Sequence, residues 1–332
     1  MKTLVKVPAT LMRGGTSKGL FLRERLTDQQ IALALGSPDP TAMQLDGVGS
    51  GISSTSKVAV VTPHQGELDV NYYFGQVCMI SGSVDWSGSC GNLAAAAGLF
   101  ARQNGLVPQE KRTVSIWQQN LGYQIDVTFE EGEATEIPGV PRTAAPIRVD
   151  FIRPEMDGLA LLPTGNVIDQ LLGIDASLCC CANPTIFVRA SDLLGLLGAA
   201  ENSELFLPDD YTIELAKLVD AMCREGAAKM GIEHTDAVRL SWLRQPTTYR
   251  HRGGGSVAAD DADVVACIST PGRVHHAFTA TGMMNLAAMA CIPGTIPNEI
   301  ADAATGECCL RLGNPAGVVE VNAICSANEE GA

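Results

Sequence analysis

Two segments do most to decide what this chain can fold into. Cys90-Gly-Asn-Leu-Ala-Ala-Ala-Ala-Gly-Leu-Phe-Ala101 and Thr279-Ala-Thr-Gly-Met-Met-Asn-Leu-Ala-Ala-Met-Ala290 each open on small residues and continue as an Ala-rich run without a charged side chain. Alanine and leucine favour helix, and a helix that is apolar all round is buried all round. Both runs are wrapped by strand-rich sequence, so the pattern predicts an α+β chain of two similar halves. Each half is a sheet curled round one central helix, and the two helix starts are expected to face one another across a cleft. The first helix is predicted from about Gly91 to Asn104, stopped by Gly105.

The surrounding segments supply the strands. Leu4 to Leu11 and Gly19 to Leu22 bracket a predicted loop, Met12-Arg-Gly-Gly-Thr-Ser-Lys18. Lys57 to Val61 and Val70 to Ile80 read as strands, and Thr113 to Gln119 with Gly122 to Phe129 as a hairpin. The acidic stretch Glu130 to Glu136 and the three prolines of Ile137-Pro-Gly-Val-Pro-Arg-Thr-Ala-Ala-Pro146 then mark a boundary. The expected halves are 1–142, completed by about 318–332, and 143–317. In the second, Ile147 to Ile152 is strand-like, and Pro163-Thr-Gly-Asn-Val-Ile-Asp169 reads as a strand-to-helix transition with Thr164 or Asn166 as cap. Helices are expected at Ile213 to Lys229 and again after Thr281.

Composition narrows the function classes. The 332 residues are 46% hydrophobic and 18% charged with 34 glycines, which describes a turn-rich globular protein and excludes a disordered one. A formal charge of −14 argues against nucleic acid and against anionic membrane surfaces. It leaves an acidic small molecule open, because a few cations and a helix N-terminus bind an anion on an acidic protein. Eleven cysteines, some adjacent (Cys179, Cys180, Cys181; Cys308, Cys309), make a poor disulfide framework. The N-terminal Met-Lys-Thr-Leu-Val-Lys-Val-Pro lacks an apolar signal segment, and no stretch approaches the roughly 20 apolar residues of a membrane span. A cytoplasmic protein with reduced, mostly buried thiols is expected. Zinc is the alternative for the cysteine run, but no CxxC pair exists and the histidines lack ligand spacing, so no metal is expected.

Three patterns carry chemistry on the residues alone. Cys90 stands at a helix start, where unpaired N–H groups and partial positive charge favour a thiolate or hold a substrate carboxylate; the plainer reading is a buried cysteine. Arg13-Gly-Gly-Thr-Ser-Lys-Gly19 combines small residues with donors and charge at Arg13, Thr16, Ser17 and Lys18. It is not a P-loop, and a simple surface turn fits as well. Ser53-Ser-Thr-Ser-Lys57 puts a lysine at the entry to a buried strand, where desolvation disfavours its charge and suits it to act as a base; most such lysines are merely solvated. Near the second helix, Arg273 and one of His275 and His276 are further candidates.

Taken together, the motifs resemble one family. They are Met12-Arg-Gly-Gly-Thr-Ser-Lys-Gly19, Gly36-Ser-Pro-Asp-Pro40, Asp46-Gly-Val-Gly49, Ser53-Ser-Thr-Ser-Lys-Val-Ala59, Val84-Asp-Trp-Ser-Gly-Ser-Cys-Gly-Asn-Leu93, Leu162-Pro-Thr-Gly-Asn-Val-Ile-Asp169, Ala182-Asn-Pro184, His276-Ala-Phe-Thr-Ala-Thr-Gly282 and Ile292-Pro-Gly-Thr295. In order and over nearly the whole chain they resemble the PrpF family of 2-methylaconitate cis-trans isomerases, 4-oxalomesaconate tautomerases, methylitaconate Δ-isomerases and aconitate Δ-isomerases. The resemblance implies the diaminopimelate epimerase-like fold, with two pseudo-symmetric halves, each a mixed sheet rolled round a central helix. It implies cofactor-independent catalysis with Lys57 and Cys90 as the acid/base pair. Epimerases of this fold carry a second cysteine where this chain has Thr279, which argues against an amino-acid racemase.

The implied reaction is allylic proton transfer on an unsaturated di- or tricarboxylic acid, with 2-methylaconitate the expected substrate. Oxalomesaconate, aconitate or methylitaconate is the alternative, and a non-catalytic tricarboxylate binder is the alternative class. The expected substrate-binding residues are Arg13, Thr16, Ser17, Lys18, Ser56, Gly91, Asn92, Arg273, His276, Thr279, Thr281 and Gly282. No cofactor, nucleic acid or membrane partner is expected, and a homodimer is left open.

Overall fold

The alanine-rich run at Gly91 forms a helix enclosed by strands. The computed structural model describes residues 6–152, 161–198, 212–233, 235–270, 273–304 and 306–324. It divides into two units, Met1–Pro154 and Glu155–Ala332.

In the first unit β1 (Thr10–Gly14), β2 (Ser17–Leu22), α1 (Asp28–Leu35), β3 (Lys57–Pro63), β4 (Val70–Val77), β5 (Val84–Asp85), α2 (Gly91–Gln103), β6 (Thr113–Gln118), β7 (Tyr123–Phe129) and β8 (Ile147–Ile152) follow in chain order. The sheet runs β1-β2-β3-β4-β6-β7-β8, with β5 on β4. Side chains alternate between its faces. Leu20, Leu22, Val58 and Val60 point outward and pack under Ile31 and Leu35 of α1. Thr27 caps that helix reciprocally with Gln30. The opposite face receives α2: the Phe21 and Phe100 rings lie 5.6 Å apart, and Tyr72 and Tyr123 reach the helix start.

The hairpin is tighter than the sequence suggests. Its strands extend through most of the predicted 12–18 loop, pairing Arg13 with Lys18 and Gly14 with Ser17. Only Gly15 and Thr16 turn the chain, with Gly15 at φ +48°, a left-handed conformation that glycine adopts without a steric cost. Gly14 matters for contact: a Cβ there would lie 2.0 Å from the carbonyl oxygen of Asn92 on α2.

The second unit contains β9 (Asp169–Leu171), β10 (Ile174–Cys179), β11 (Thr185–Arg189), α3 (Ala190–Leu197), α4 (Ile213–Met230), β12 (Arg239–Arg244), β13 (Tyr249–Arg250), β14 (Ser256–Val257), β15 (Val264–Thr270), β16 (Arg273–Val274), α5 (Ala280–Ala290), α6 (Ile296–Ala301), β17 (Glu307–Asn314) and β18 (Gly317–Ile324). Its main sheet runs β18-β17-β15-β12-β11-β10-β9, with β16 on β15. Phe187, Leu243, Ala266 and Ile268 face Leu286 and Met289 of α5. Ile186, Val188, Leu240 and Trp242 face Leu193 of α3 and Leu215, Val219 and Met222 of α4. The same alternation explains the adjacent cysteines. Cys179 belongs to the α5 side and Cys180 to the α4 side, where burial pushes the Cys180 thiol up to about 12. Among the described residues no cluster of three His, Cys, Asp or Glu is placed to hold a metal, and no helix is long and apolar enough to cross a membrane.

The internal echo extends to the strand order. In the first unit β1-β2-β3-β4-β6-β7 neighbours are antiparallel, parallel, antiparallel, parallel and antiparallel. In the second, β10-β11-β12-β15-β17-β18 repeat that series. Helix α1 lies between the second and third strands of its series, as α3 and α4 do in theirs. Each central helix follows a short strand paired to the fourth. The two units are therefore pseudo-repeats, as expected.

Three expectations differ. The division falls at Pro154/Glu155 rather than 142/143, because β8 adds to the first sheet along β7, from Ile147 opposite Phe129 to Ile152 opposite Gln124. Of the expected C-terminal completion, Val318–Ile324 stays with the second unit, where β18 pairs with β17 through a hairpin closed by Pro315 and Ala316; 325–332 lie outside the described residues. Pro163 to Asp169 opens no helix. The side chains of Thr164 and Asn166 donate to the Asp169 carboxylate and turn the chain into β9.

The Gly14 contact yields a stability test. Gly14→Ala is expected to cost about 1–3 kcal/mol, the range of an overpacked core site. Gly195→Ala in α3, where nothing lies within 4 Å of the added methyl, is expected to gain about 0.5–1 kcal/mol from helix propensity. Urea unfolding of both variants checks the pair.

Candidate active site

Cys90 stands at the N-cap of α2 in an extended conformation, and its side chain makes no capping hydrogen bond. The first N–H groups of a helix lack intrahelical acceptors. Here the thiol leaves them to other ligands and donates instead to the Ser17 hydroxyl at 3.8 Å. With Cys90 8% exposed, the sulfur is nearly enclosed. Its backbone is fixed from the sheet: the Tyr72 hydroxyl donates to the Cys90 carbonyl at 3.1 Å, and the Tyr123 hydroxyl donates to Ser89 at 2.9 Å. Burial holds the Tyr72 phenol well above its ordinary value, with the neighbouring Cys90 and Tyr123 adding to the effect, so it serves as a permanent donor. The hairpin grips the same turn, where the Asn92 amide donates to Thr16 Oγ1 at 3.0 Å.

Lys57 opens β3 on the face that receives α2. Strand alternation places Ser17 and Gly19 of β2 on that face, and a Cβ at Gly19 would lie 2.9 Å from Leu93 of α2 and 3.4 Å from the Lys57 Cβ. On β4 the residues Tyr72, Phe74 and Gln76 share it, with Gln76 directly opposite Lys57. The half-buried amine donates to Gln76 Oε1 at 2.6 Å and sits 4.9 Å from the centre of the Phe74 ring, a cation–π distance. An amine and a thiol, chemically able to exchange protons, therefore occupy one face of one unit beside a helix N-terminus.

The remaining expected residues divide. Thr16, Ser17, Gly91 and Asn92 gather at the start of α2. Arg13 and Lys18 do not join them: as directly opposed residues they share the other face of the hairpin, and the Lys18 amine is held by Ser50 Oγ at 2.7 Å. Ser56 is fully buried and donates to the Val77 carbonyl while accepting from Gln44, so its hydroxyl braces the loop before β3. Tyr72, Phe74 and Gln76 were not among the expected residues. A polar Gln on the inward parity of an otherwise buried strand was the signal available in the sequence.

In the second unit Thr279 occupies the N-cap of α5, and its hydroxyl accepts from the Gly282 N–H at 3.0 Å. Thr281 and Gly282 are buried in that first turn. Arg273 opens β16. The His275 and His276 rings stack at 4.5 Å. His275 is buried and its Nδ1 accepts from the Ala277 N–H, which assigns the ring proton to Nε2. Burial, then Arg252 and Arg273, lower the His276 value, so that imidazole is neutral at pH 7.

The family model described as PrpF protein matches residues 4–331. The chain belongs to the PrpF family. It is 36% identical to the 2-methyl-aconitate isomerase of Shewanella oneidensis over 96% of this chain and 89% of that relative. It is 31% identical to the 3-methylitaconate isomerase of Eubacterium barkeri, over 98% and 92%. A crystal structure of methylitaconate-delta-isomerase superposes with a TM-score of 0.74 at 29% identity, covering 97% of this chain and 89% of that one. The expected diaminopimelate epimerase-like fold stands, and this PrpF-family protein is an enzyme of the isomerase class.

The two helix starts of this PrpF-family protein predict opposite responses. Thr279→Ala is expected to destabilise by about 0.5–2 kcal/mol through the lost cap. Cys90→Ser puts a capping hydroxyl where the thiol provides none, and is expected to hold stability or raise it by up to about 1 kcal/mol. Urea midpoints measured side by side decide this, and a Cys90→Ser variant less stable than wild type would contradict it.

Proposed function

We propose that this protein catalyses allylic proton transfer on an unsaturated di- or tricarboxylic acid, with cis-trans isomerisation of 2-methylaconitate as its reaction. The observation that carries the reading is the placement of Lys57 and Cys90 on one face beside the start of α2. One of the two removes a proton from the carbon next to an alkene conjugated with a carboxylate. The electron pair spreads through the alkene into the carboxylate as a dienolate. The N–H groups at the start of α2 stabilise that charge as it develops, since donors fixed in advance need no reorganisation. A proton then returns, either to the same carbon after rotation about the loosened bond or to the far end of the three-carbon unit. The first outcome is a cis-trans isomerase and the second a Δ-isomerase or tautomerase.

Ser17 and Thr16 supply hydroxyls, and Gly91 and Asn92 supply backbone donors, for a substrate carboxylate. Thr279, Thr281, Gly282, Arg273 and His276 belong to the same proposal in the second unit. The relatives named above support 2-methylaconitate and methylitaconate as first substrates. Thr279 in place of a second thiol speaks against two-cysteine racemase chemistry. A tricarboxylate-binding protein without turnover requires neither a thiol nor an amine at these places. The reading also includes a cytoplasmic location and no resident cofactor.

The test is proton NMR in D₂O with 2-methylaconitate, cis- and trans-aconitate, methylitaconate and oxalomesaconate. Wild type is expected to isomerise at least one acid with deuterium incorporation. Lys57→Ala and Cys90→Ser are each expected to lower kcat/KM by about 10²-fold or more, the scale of a lost general acid or base. No exchange with any acid by folded wild type would leave the binding protein as the better reading.

A further inference from the structure

The Lys57 amine rests on a neutral group. Gln76 directly faces it across β3 and β4, and the amine donates to Gln76 Oε1 at 2.6 Å. The amide cannot present its other end. Its Nε2 donates to the backbone carbonyls of Ser53 at 3.2 Å and Ser56 at 2.8 Å, and carbonyls only accept. The oxygen is therefore fixed toward the lysine by the same Ser-Ser-Thr-Ser-Lys57 segment that delivers the lysine. Segment, amide and amine form one unit, in which the backbone orients Gln76 and Gln76 orients Lys57.

We propose that Gln76 is a positioning residue for Lys57, holding the amine on the inward face through an uncharged acceptor. The proposal rests on the reading of Lys57 as one of the proton-transferring pair. A carboxylate within a few ångströms favours the charged form of a partner cation, commonly by 1–3 pH units. An amide orients the ammonium without adding that bias. Among the described residues of the first unit, several titratable or charged groups lie on the elements around the amine. Cys90 and Tyr72 share its face from α2 and β4, together with the positive end of the helix. Lys18 on β2 lies on the other face against Ser50. Asp85 on β5 is opposite Gln76, and its carboxylate accepts from the N–H and hydroxyl of Ser87. These surroundings stay constant when position 76 alone is changed.

Two near-isosteric substitutions separate positioning from a purely structural role. Gln76→Glu introduces the charge, and Gln76→Met removes the acceptor; both release the Ser53 and Ser56 carbonyls. The protonation of Lys57 is followed by competitive acetylation of the folded proteins from neutral to alkaline pH, reading the Lys57 peptide by mass spectrometry. The pH profile of kcat/KM is measured on the acid that wild type turns over. In Gln76→Glu the labelling midpoint is expected to rise by about one pH unit, a tenfold loss of neutral amine at fixed pH. The limb of the rate profile that belongs to Lys57 is expected to move up with it. In Gln76→Met both are expected to move down.

Coincident midpoints in the three proteins, or shifts in the same direction in both variants, would overturn the proposal. Circular dichroism checks folding. Should Gln76→Glu not fold, Gln76→Met decides alone, a downward shift supporting the proposal and an unmoved midpoint overturning it. Labelling needs no turnover. Opposite shifts in a protein that isomerises no acid would uphold the hold of Gln76 on the amine while removing the proposed reaction.

Discussion

Burial of α2 against the inner face of the first sheet is the interaction on which the site depends. A helix that buries Leu93, Ala94, Ala97, Phe100 and Ala101, leaving Asn92, Ala95, Leu99 and Arg102 half-buried along its other side, has its axis and rotation set by packing. That places its first turn at the end of the sheet where β2 and β3 begin and β4 finishes. Two buried phenols then pin the turn from β4 and β7, and the hairpin closes on it through Asn92 and the space left at Gly14. Each contact is individually modest, since a hydrogen bond adds only about 0.5–1.5 kcal/mol net. Their joint effect is to hold the Cys90 backbone in its extended conformation at the head of the helix.

Much of this was legible in the sequence, and the reasons are specific. The all-apolar runs at Gly91 and Ala280 admit no assignment other than enclosed helices, so the two-half architecture followed from them. Lys57 at the edge of Val58 to Val61 was visible because a charge abutting a buried strand is a sharp local discontinuity. Sequence reasoning failed where the decisive partner is far along the chain. Gln76 looks like one polar residue in a strand until its pairing with Lys57 is known, and the Ser56 hydroxyl looks available until Val77 and Gln44 claim it. The glycines of the hairpin suggested a loose loop. They instead serve a two-residue turn and a close approach to α2, and the turn sends Arg13 and Lys18 away from Ser17. The proline-rich stretch overstated the boundary, because β8 returns to the first sheet after it.

The duplicated topology makes the two units comparable position by position, and the comparison is chemical. Both central helices begin after a short strand paired to the fourth strand of the series. In the second unit a threonine fills the cap and takes one helix amide for itself. In the first a cysteine holds the same place and takes none. Cysteine at this position forgoes a cap worth about 1 kcal/mol, where two tyrosines already fix the turn. The packing of α2 supplies the order that a cap would otherwise help provide.

The same comparison extends to the third strand. Lys57 is the first residue of β3, and Arg239 is the first residue of β12. Arg239 shares the inward parity of Leu243, which packs on the α5 side, while Leu240 and Trp242 pack on the other. Only the strand position matches: the Arg239 guanidinium donates to the Val238 carbonyl at 3.0 Å and acts on the Cys223 thiol of α4, whereas the Lys57 amine donates to Gln76. A guanidinium does not lose its proton in a protein, and it offers a fixed fork of donors that suits a carboxylate; a threonine hydroxyl is likewise a donor without useful acidity. Lysine and cysteine are the residue types at these positions that serve as acid or base in proton transfer. On the proposed reading one topology serves twice: the first unit carries the lysine and cysteine of the proton transfer, and the second carries a threonine that caps its own helix.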